Sequence, residues 1–183
     1  PVYENAGIDT RYSCVPPDWY EKPHGWAEKN RLYLDNALDL IEQASIKALE
    51  KAGLDKEAID MVIAVSTTGI ATPSLDALLA ERMGLRRDIE RLPVFGLGCA
   101  GGILGLTRAA EFARAAPGKT ILLVAVELCG LTFRRADNSK ANVIATALFG
   151  DGAAAAIIRY GEDGAAFEHS AEHTWPDSLD GMG

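Results

Sequence analysis

Three residue types in this chain could do covalent or polar chemistry together: the thiol of Cys99, the carboxylate of Glu127 and the hydroxyl of Thr67. Cys99 follows Leu92-Pro93-Val94-Phe95-Gly96-Leu97-Gly98, an apolar segment that reads as a buried strand, and precedes a helix running from Ala100 to about Ala116. A thiol at a strand-to-helix junction meets unpaired backbone N–H groups and the positive end of the helix dipole, and both favour thiolate over thiol. The small neighbours Gly98, Ala100, Gly101 and Gly102 leave room for a second molecule to approach the sulfur. That is the setting of a covalent nucleophile. Taken without its neighbours, the same cysteine reads more readily as a small buried hydrophobe; with them the two readings stand level. Glu127 closes the apolar run Thr120 to Glu127, where a buried carboxylate needs a partner.

The elements that must position these residues follow from hydrophobic spacing. Pro1 to Gly25, with Pro16, Pro17 and Pro23, reads as extended surface loop. Leu34, Leu38, Ile41, Ala44, Ala48 and Leu49 recur at helical spacing and predict a long helix over Trp26–Ala52, stopped by Gly53. Asp60 to Ser66 reads as a buried strand broken by Thr67-Thr68-Gly69, and Ser74 as the N-cap of a helix through Met83. Thr120 to Glu127 has the apolar continuity of a parallel strand. Leu131 to Asn142 reads as loop, Gly150-Asp151-Gly152 as a tight turn, and Ala153–Tyr160 as an alanine-rich strand. Gly161 to Gly164 reads as a further turn, and Ala165 to Trp175 as an antiparallel strand beside it. The order implies an α/β fold, a mixed, mostly parallel sheet covered by helices. Thr67, Cys99 and Glu127 all fall at carboxyl ends of its strands, where function at such sheets tends to lie.

Composition narrows the classes. The 183 residues suffice for one α/β domain with a core, and 48% hydrophobic with 24% charged residues is ordinary for a globular chain. A net charge of −8 and a pI near 4.9 argue against nucleic acid. No run reaches membrane-spanning length, no basic-then-apolar leader opens the chain, and Cys14, Cys99 and Cys129 lack the close spacing of a disulfide framework. A cytoplasmic, reducing compartment is the expectation. His169 and His173 are four apart in the expected strand, too far for easy chelation, so no metal is expected.

Several motifs resemble the N-terminal part of a thiolase-fold condensing enzyme, and more narrowly a bacterial type III polyketide synthase of the chalcone/stilbene synthase superfamily. The carriers are Asn5-Ala6-Gly7-Ile8-Asp9-Thr10-Arg11-Tyr12, Ser66-Thr67-Thr68-Gly69 with Pro73-Ser74-Leu75-Asp76, and Phe95-Gly96-Leu97-Gly98-Cys99-Ala100-Gly101-Gly102. Val126-Glu127-Leu128-Cys129 with Leu131-Thr132-Phe133-Arg134, and Ala147-Leu148-Phe149-Gly150-Asp151-Gly152-Ala153, complete them. The resemblance implies a thiolase-like half in which Cys99 is acylated by an acyl-CoA. Malonyl-CoA is then decarboxylated and its carbanion attacks the thioester in a Claisen condensation. Phe149 matches the family's aromatic gatekeeper, although a Phe beside Gly-Asp-Gly reads equally as core. Thr67, Glu127, Cys129 and Thr132 match positions that line the family's cavity, and Thr72 falls near the loop that reaches the partner's cavity in its homodimer. CoA thioesters are implied as substrates, with no further cofactor.

The family's machinery is a Cys–His–Asn triad, and His24, His169 and His173 do not match its histidine position. The resemblance therefore implies that residues 1–183 form a single incomplete domain, the N-terminal half of a protein about twice as long. The His and Asn come from a C-terminal half outside this chain. The family's first strand and helix, with most of the basic residues that grip CoA, are expected before Pro1, which leaves Arg11 as one arginine for that task. Acyl loading is expected of this half and condensation of the complete pair, because the donors for an oxyanion or enolate lie in the missing half. Two alternatives stand beside this reading. One is a ketoacyl-carrier-protein synthase III-like enzyme, which shares the Gly-Cys-Ala-Gly and Phe-Gly-Asp-Gly-Ala pieces but would need a basic patch for its carrier protein. The other is a non-catalytic structural half. A papain-like protease lacks a histidine partner for Cys99, and the Gly96-x-Gly98-x-x-Gly101 spacing straddles the nucleophile rather than forming a dinucleotide loop.

Overall fold

The computed structural model describes residues 2–161 and 164–177. Two strands form its centre. β1 (Met61–Ser66) is buried on both faces, and β3 (Ile121–Leu128) nearly so, as their unbroken apolar runs require. β2 (Glu90–Phe95) pairs parallel with β1, and β4 (Asp151–Ile158) pairs antiparallel with β3, giving the order β2-β1-β3-β4. The expected α/β fold with a mixed, mostly parallel sheet is what the chain adopts. Side chains alternate across β1: Val62 and Ala64 face one layer, Met61, Ile63 and Val65 the other.

The first layer is α2 (Trp26–Ala52) with α3 (Leu75–Met83). α2 buries Tyr33, Ala37, Ile41, Ser45 and Leu49, one stripe at four-residue spacing, against β3 and β4. The Ser45 hydroxyl, buried in that stripe, donates to Ile41 O at 2.6 Å. The helix stops where Gly53 turns left-handed (φ 64°), its N–H donating to Glu50 O and that of Leu54 to Leu49 O. The second layer is α4 (Gly101–Ala115), which packs Ala109 and Ala113 on Ile63, Val65, Ile121 and Leu123. α1 (Val2–Ala6) lies against α5 (Lys140–Leu148).

Five expectations from sequence need correction. The segment before Cys99 is an edge strand, with Glu90, Arg91, Pro93 and Phe95 exposed, because among the described residues only β1 pairs with it. Pro93, which lacks a ladder donor, is tolerated at such an edge. The stretch expected to be loop over 131–142 contains the end of a 3-10 turn (Cys129–Thr132) and the start of α5, whose N-cap Ser139 accepts from Asn142 N–H. Asp151 and Gly152 belong to β4 rather than to a tight turn. The first 25 residues hold α1 and a 3-10 turn at Pro17–Glu21.

Finally, residues 165–175 form no strand. Arg114 Nη2 takes the carbonyls of Phe167 (2.5 Å) and Glu168 (2.8 Å), and Arg108 pairs with Glu172 at 2.7 Å, so this segment is strapped to α4. His169 and His173 accordingly sit on no strand face, and His173 packs edge-on against Trp175. Glu162 and Asp163 of the expected turn lie outside the described residues.

Candidate active site

Cys99 sits in a single 3-10 turn, Gly98–Ala100, that leads directly into α4, and it is exposed. Two glycines shape the approach: Gly96 (φ 85°) and Gly98 (φ 53°) are both left-handed, a conformation that a side chain would strain. Gly101 and Gly105 then bring α4 close to the sheet. A Cβ on Gly101 would lie 2.7 Å from Val65 Cγ1, and one on Gly105 2.8 Å from Val65 Cγ2. The sulfur is thus carried at the amino end of a helix seated on the carboxyl end of β1.

The three strand ends do meet. Glu127 accepts the Thr67 N–H on both carboxylate oxygens (2.9 and 3.1 Å) and the Thr68 N–H at 3.0 Å. Thr68 Oγ1 accepts the Leu128 N–H at 2.9 Å, and Thr67 Oγ1 accepts the Gly98 N–H at 3.1 Å. The partner that the sequence demanded for Glu127 is therefore the backbone beyond β1, two N–H groups of a half-buried loop. Thr72 lies exposed further along that loop, next to Pro73.

A second group surrounds a cavity of about 310 Å³ lined by Arg11, Ser13, Tyr20, Cys129, Thr132 and Phe149, among others. Phe149 caps the C-terminus of α5 and is part-exposed, so it stands at the cavity wall and not in the core. Thr132 turns its hydroxyl to Cys129 O at 2.8 Å. The Cys129 thiol is pushed up to about 11, first by burial and then by Glu127, Asp151 and Cys99 nearby. Cys129 links the two groups: it lines the cavity and is close enough to Cys99 and Glu127 to be affected by their charge.

Several supporting residues were not legible in sequence. The Asp151 carboxylate accepts the N–H groups of Cys14 (2.8 Å) and Gly130 (2.7 Å), while its own N–H donates to Tyr12 O (2.8 Å), tying three distant segments together. Burial and the Asp151 carboxylate push the Cys14 thiol up to about 12. Arg11 donates to Ala147 O at the C-terminus of α5 and to Ile8 O, and lies over the Tyr3 ring. It caps a helix end as well as lining the cavity. Ser139, a good N-cap type ahead of an apolar stretch, was the one signal that could have found α5.

A cysteine turn leading into a helix at the carboxyl ends of parallel strands, in a sheet of order β2-β1-β3-β4 covered by helices, is the architecture of a thiolase-like domain. Residues 24–163 match the family described as chalcone and stilbene synthases, N-terminal domain, and the chain belongs to it. It is 46% identical over 163 residues to 1,3,6,8-tetrahydroxynaphthalene synthase of Streptomyces peucetius subsp. caesius, covering 89% of this chain and 43% of that protein. Phloroglucinol synthase of Pseudomonas fluorescens is 31% identical over 90% of this chain and 47% of its own length. The crystal structure of 1,3,6,8-tetrahydroxynaphthalene synthase from Streptomyces coelicolor A3(2), a bacterial type III polyketide synthase, superposes with a TM-score of 0.93 at 33% identity. It covers 98% of this chain and 52% of that one. The chain spans about half the length of these relatives. Among the described residues no helix is long and apolar enough to cross a membrane.

Proposed function

We infer that this chain is the nucleophile-bearing half of a type III polyketide synthase, an acyltransferase acting on CoA thioesters. The Cys99 sulfur attacks the carbonyl of a starter acyl-CoA; the new C–S bond forms as the bond to CoA breaks, and CoA leaves as its thiol. A thiolate is both a good nucleophile and a good leaving group, so the same sulfur loads the acyl group and gives it up. Malonyl-CoA then loses CO₂, and its carbanion attacks the Cys99 thioester in a decarboxylative Claisen condensation. The His and Asn that the family uses for this step belong to a C-terminal half. Phe149 acts as the gate of the cavity that Cys129 and Thr132 line, Glu127 and Thr67 shape the acyl site at the strand ends beside Cys99, and Thr72 is directed to a partner subunit in a homodimer.

One observation carries this reading. An exposed cysteine stands at the start of a helix whose glycines press it onto the strand end, and Cys129, close enough to Cys99 to be affected by its charge, lines a cavity. Intact-mass spectrometry after incubation with a panel of acyl-CoAs tests it. The expected result is a single acyl adduct that maps to Cys99 and is absent from Cys99→Ala, whose near-UV circular dichroism matches the wild type. Absence of an adduct from the wild-type chain would leave it the role of a structural half.

A further inference from the structure

The turn that carries Cys99 is tied to the rest of the sheet by a side-chain bond that its own strand does not provide. β2 ends at Phe95, and from there the chain passes through two left-handed glycines before α4 begins. Within that stretch the Gly98 N–H donates to Thr67 Oγ1. Thr67 is itself rigidly held. Its N–H and that of Thr68 are taken by the Glu127 carboxylate, and the Thr68 hydroxyl oxygen takes the Leu128 N–H in return, so β3 grips the loop from the inner side.

α2 grips the same loop from the other side. Asn30 Nδ2 donates to Ile70 O and Asn30 Oδ1 accepts the Ile70 N–H, both at 3.0 Å. The Tyr33 hydroxyl donates to Ser66 Oγ at 2.7 Å, and its ring fills the space beside Gly69, where a Cβ would come within 2.1 Å. The loop after β1 is therefore a strut clamped by β3 and α2, and Thr67 Oγ1 is the point at which it touches the nucleophile's turn.

Resting on the reading of Cys99 as the acylated residue, we propose that Thr67 is a positioning residue for Cys99. Held by Glu127, its hydroxyl oxygen fixes the Gly98 amide and so the placement of the sulfur at the start of α4. Acyl transfer is sensitive to such placement, because the reacting atoms must be held near attack distance and in line. The role differs from that of a cavity wall. A wall residue alters how tightly the acyl-CoA binds, whereas a positioning residue alters how fast the bound thioester reacts.

The test compares the wild-type chain with Thr67→Val, which keeps the shape and removes the acceptor, and with Thr67→Ser, which keeps the acceptor. Acylation of Cys99 is followed by intact mass over a concentration series of hexanoyl-CoA. Alkylation of Cys99 by iodoacetamide at neutral pH and amide exchange at Gly98 are read on the same samples. Thr67→Val is expected to lower the maximal acylation rate about tenfold while the half-saturating concentration stays within about twofold. It is also expected to slow alkylation about threefold, because the loosened turn no longer keeps the sulfur in one place at the start of α4, and to speed Gly98 exchange about tenfold. Thr67→Ser restores all three readings. Glu127→Gln, which turns an NH2 toward the Thr67 and Thr68 amides, lowers the same maximal rate.

Three outcomes overturn the proposal: an unchanged maximal rate in Thr67→Val, a change confined to the half-saturating concentration, or a Ser variant as slow as the Val variant. Failure of the wild-type chain to acylate would sink the proposed function instead. Alkylation and Gly98 exchange then decide the positioning role by themselves, and equal values in Thr67→Val and wild type would end it.

Discussion

One residue type appears in this chain in contrasting surroundings. Cys99 is exposed at the start of α4, whereas Cys14 and Cys129 are half-buried, and burial first, then nearby carboxylates, raises their thiols to about 12 and about 11. A thiol held above its ordinary range stays protonated at neutral pH, and the protonated form is not the nucleophile. Iodoacetamide at neutral pH is therefore expected to label Cys99 first, with Cys14 and Cys129 slower by about tenfold or more. Peptide mapping by mass spectrometry reads the order. As the pH rises toward 11, Cys129 should begin to react before Cys14. In denaturant, where burial and Asp151 are lost, the three rates should converge. Equal labelling in the folded chain would contradict the placement of Cys14 and Cys129.

At the scale of elements, α4 follows directly on the Cys99 turn and its fit on the sheet is set by small residues. Replacing Gly by Ala within a helix ordinarily gains up to ~1 kcal/mol through propensity. At Gly105 the added Cβ meets Val65 Cγ2 at 2.8 Å and Leu123 Cδ1 at 3.0 Å, side chains that themselves stand on the two central strands. Overpacking of this kind costs ~1–3 kcal/mol and outweighs the gain. Gly105→Ala should lower the midpoint of thermal or urea unfolding, and Gly102→Ala, with nothing within 4 Å of its Cβ, should leave it unchanged or raise it. A stabilised Gly105→Ala would mean that α4 does not sit this close. Elements whose signals are local were read correctly: α2 and its Gly53 stop, β1, α3 and β3 all fall within a residue or so of the expected bounds. β2 looked buried because its apolar residues say nothing of having a neighbour on one side only. The 165–175 segment looked like a strand because Arg114, which claims the carbonyls of Phe167 and Glu168 from 53 and 54 residues away, does not show in a local pattern.

For the whole molecule, the proposed homodimer gives a direct expectation. Ile70, Phe95, Leu97 and Ile103 are large apolar side chains left exposed, and all four flank the carboxyl end of the sheet where Cys99 stands. Apolar exposure grouped in this way marks a surface that another chain or segment covers. Sedimentation velocity over a range of protein concentrations should show a species of twice the 19.5 kDa chain mass. A stable monomer across that range would count against the homodimer. The electrostatics act locally: the net charge of −8 offers an anionic thioester no general attraction. Arg11 at the cavity is in part committed to the carbonyls of Ala147 and Ile8.

By itself the sequence determined what depends on neighbours within a turn or along a strand. It told that α2, α3 and α4 are helical, that β1 and β3 are buried, and that a cysteine precedes a helix among glycines. Its motifs also carried the family resemblance. Thr67, Cys99 and Glu127 were placed at strand ends by that reading, and their meeting follows from parallel β1, β2 and β3 ending together. The tertiary structure alone decided how they meet. The Glu127 carboxylate takes the amides of residues 59 and 60 positions earlier, and Asp151 takes that of Cys14, 137 positions away. Hydrogen bonds over such separations leave no periodicity in the chain, because they depend on where the sheet has already brought its ends. That is also why Glu127 could be recognised in sequence as a carboxylate in need of a partner while the partner itself, the backbone beyond β1, could not.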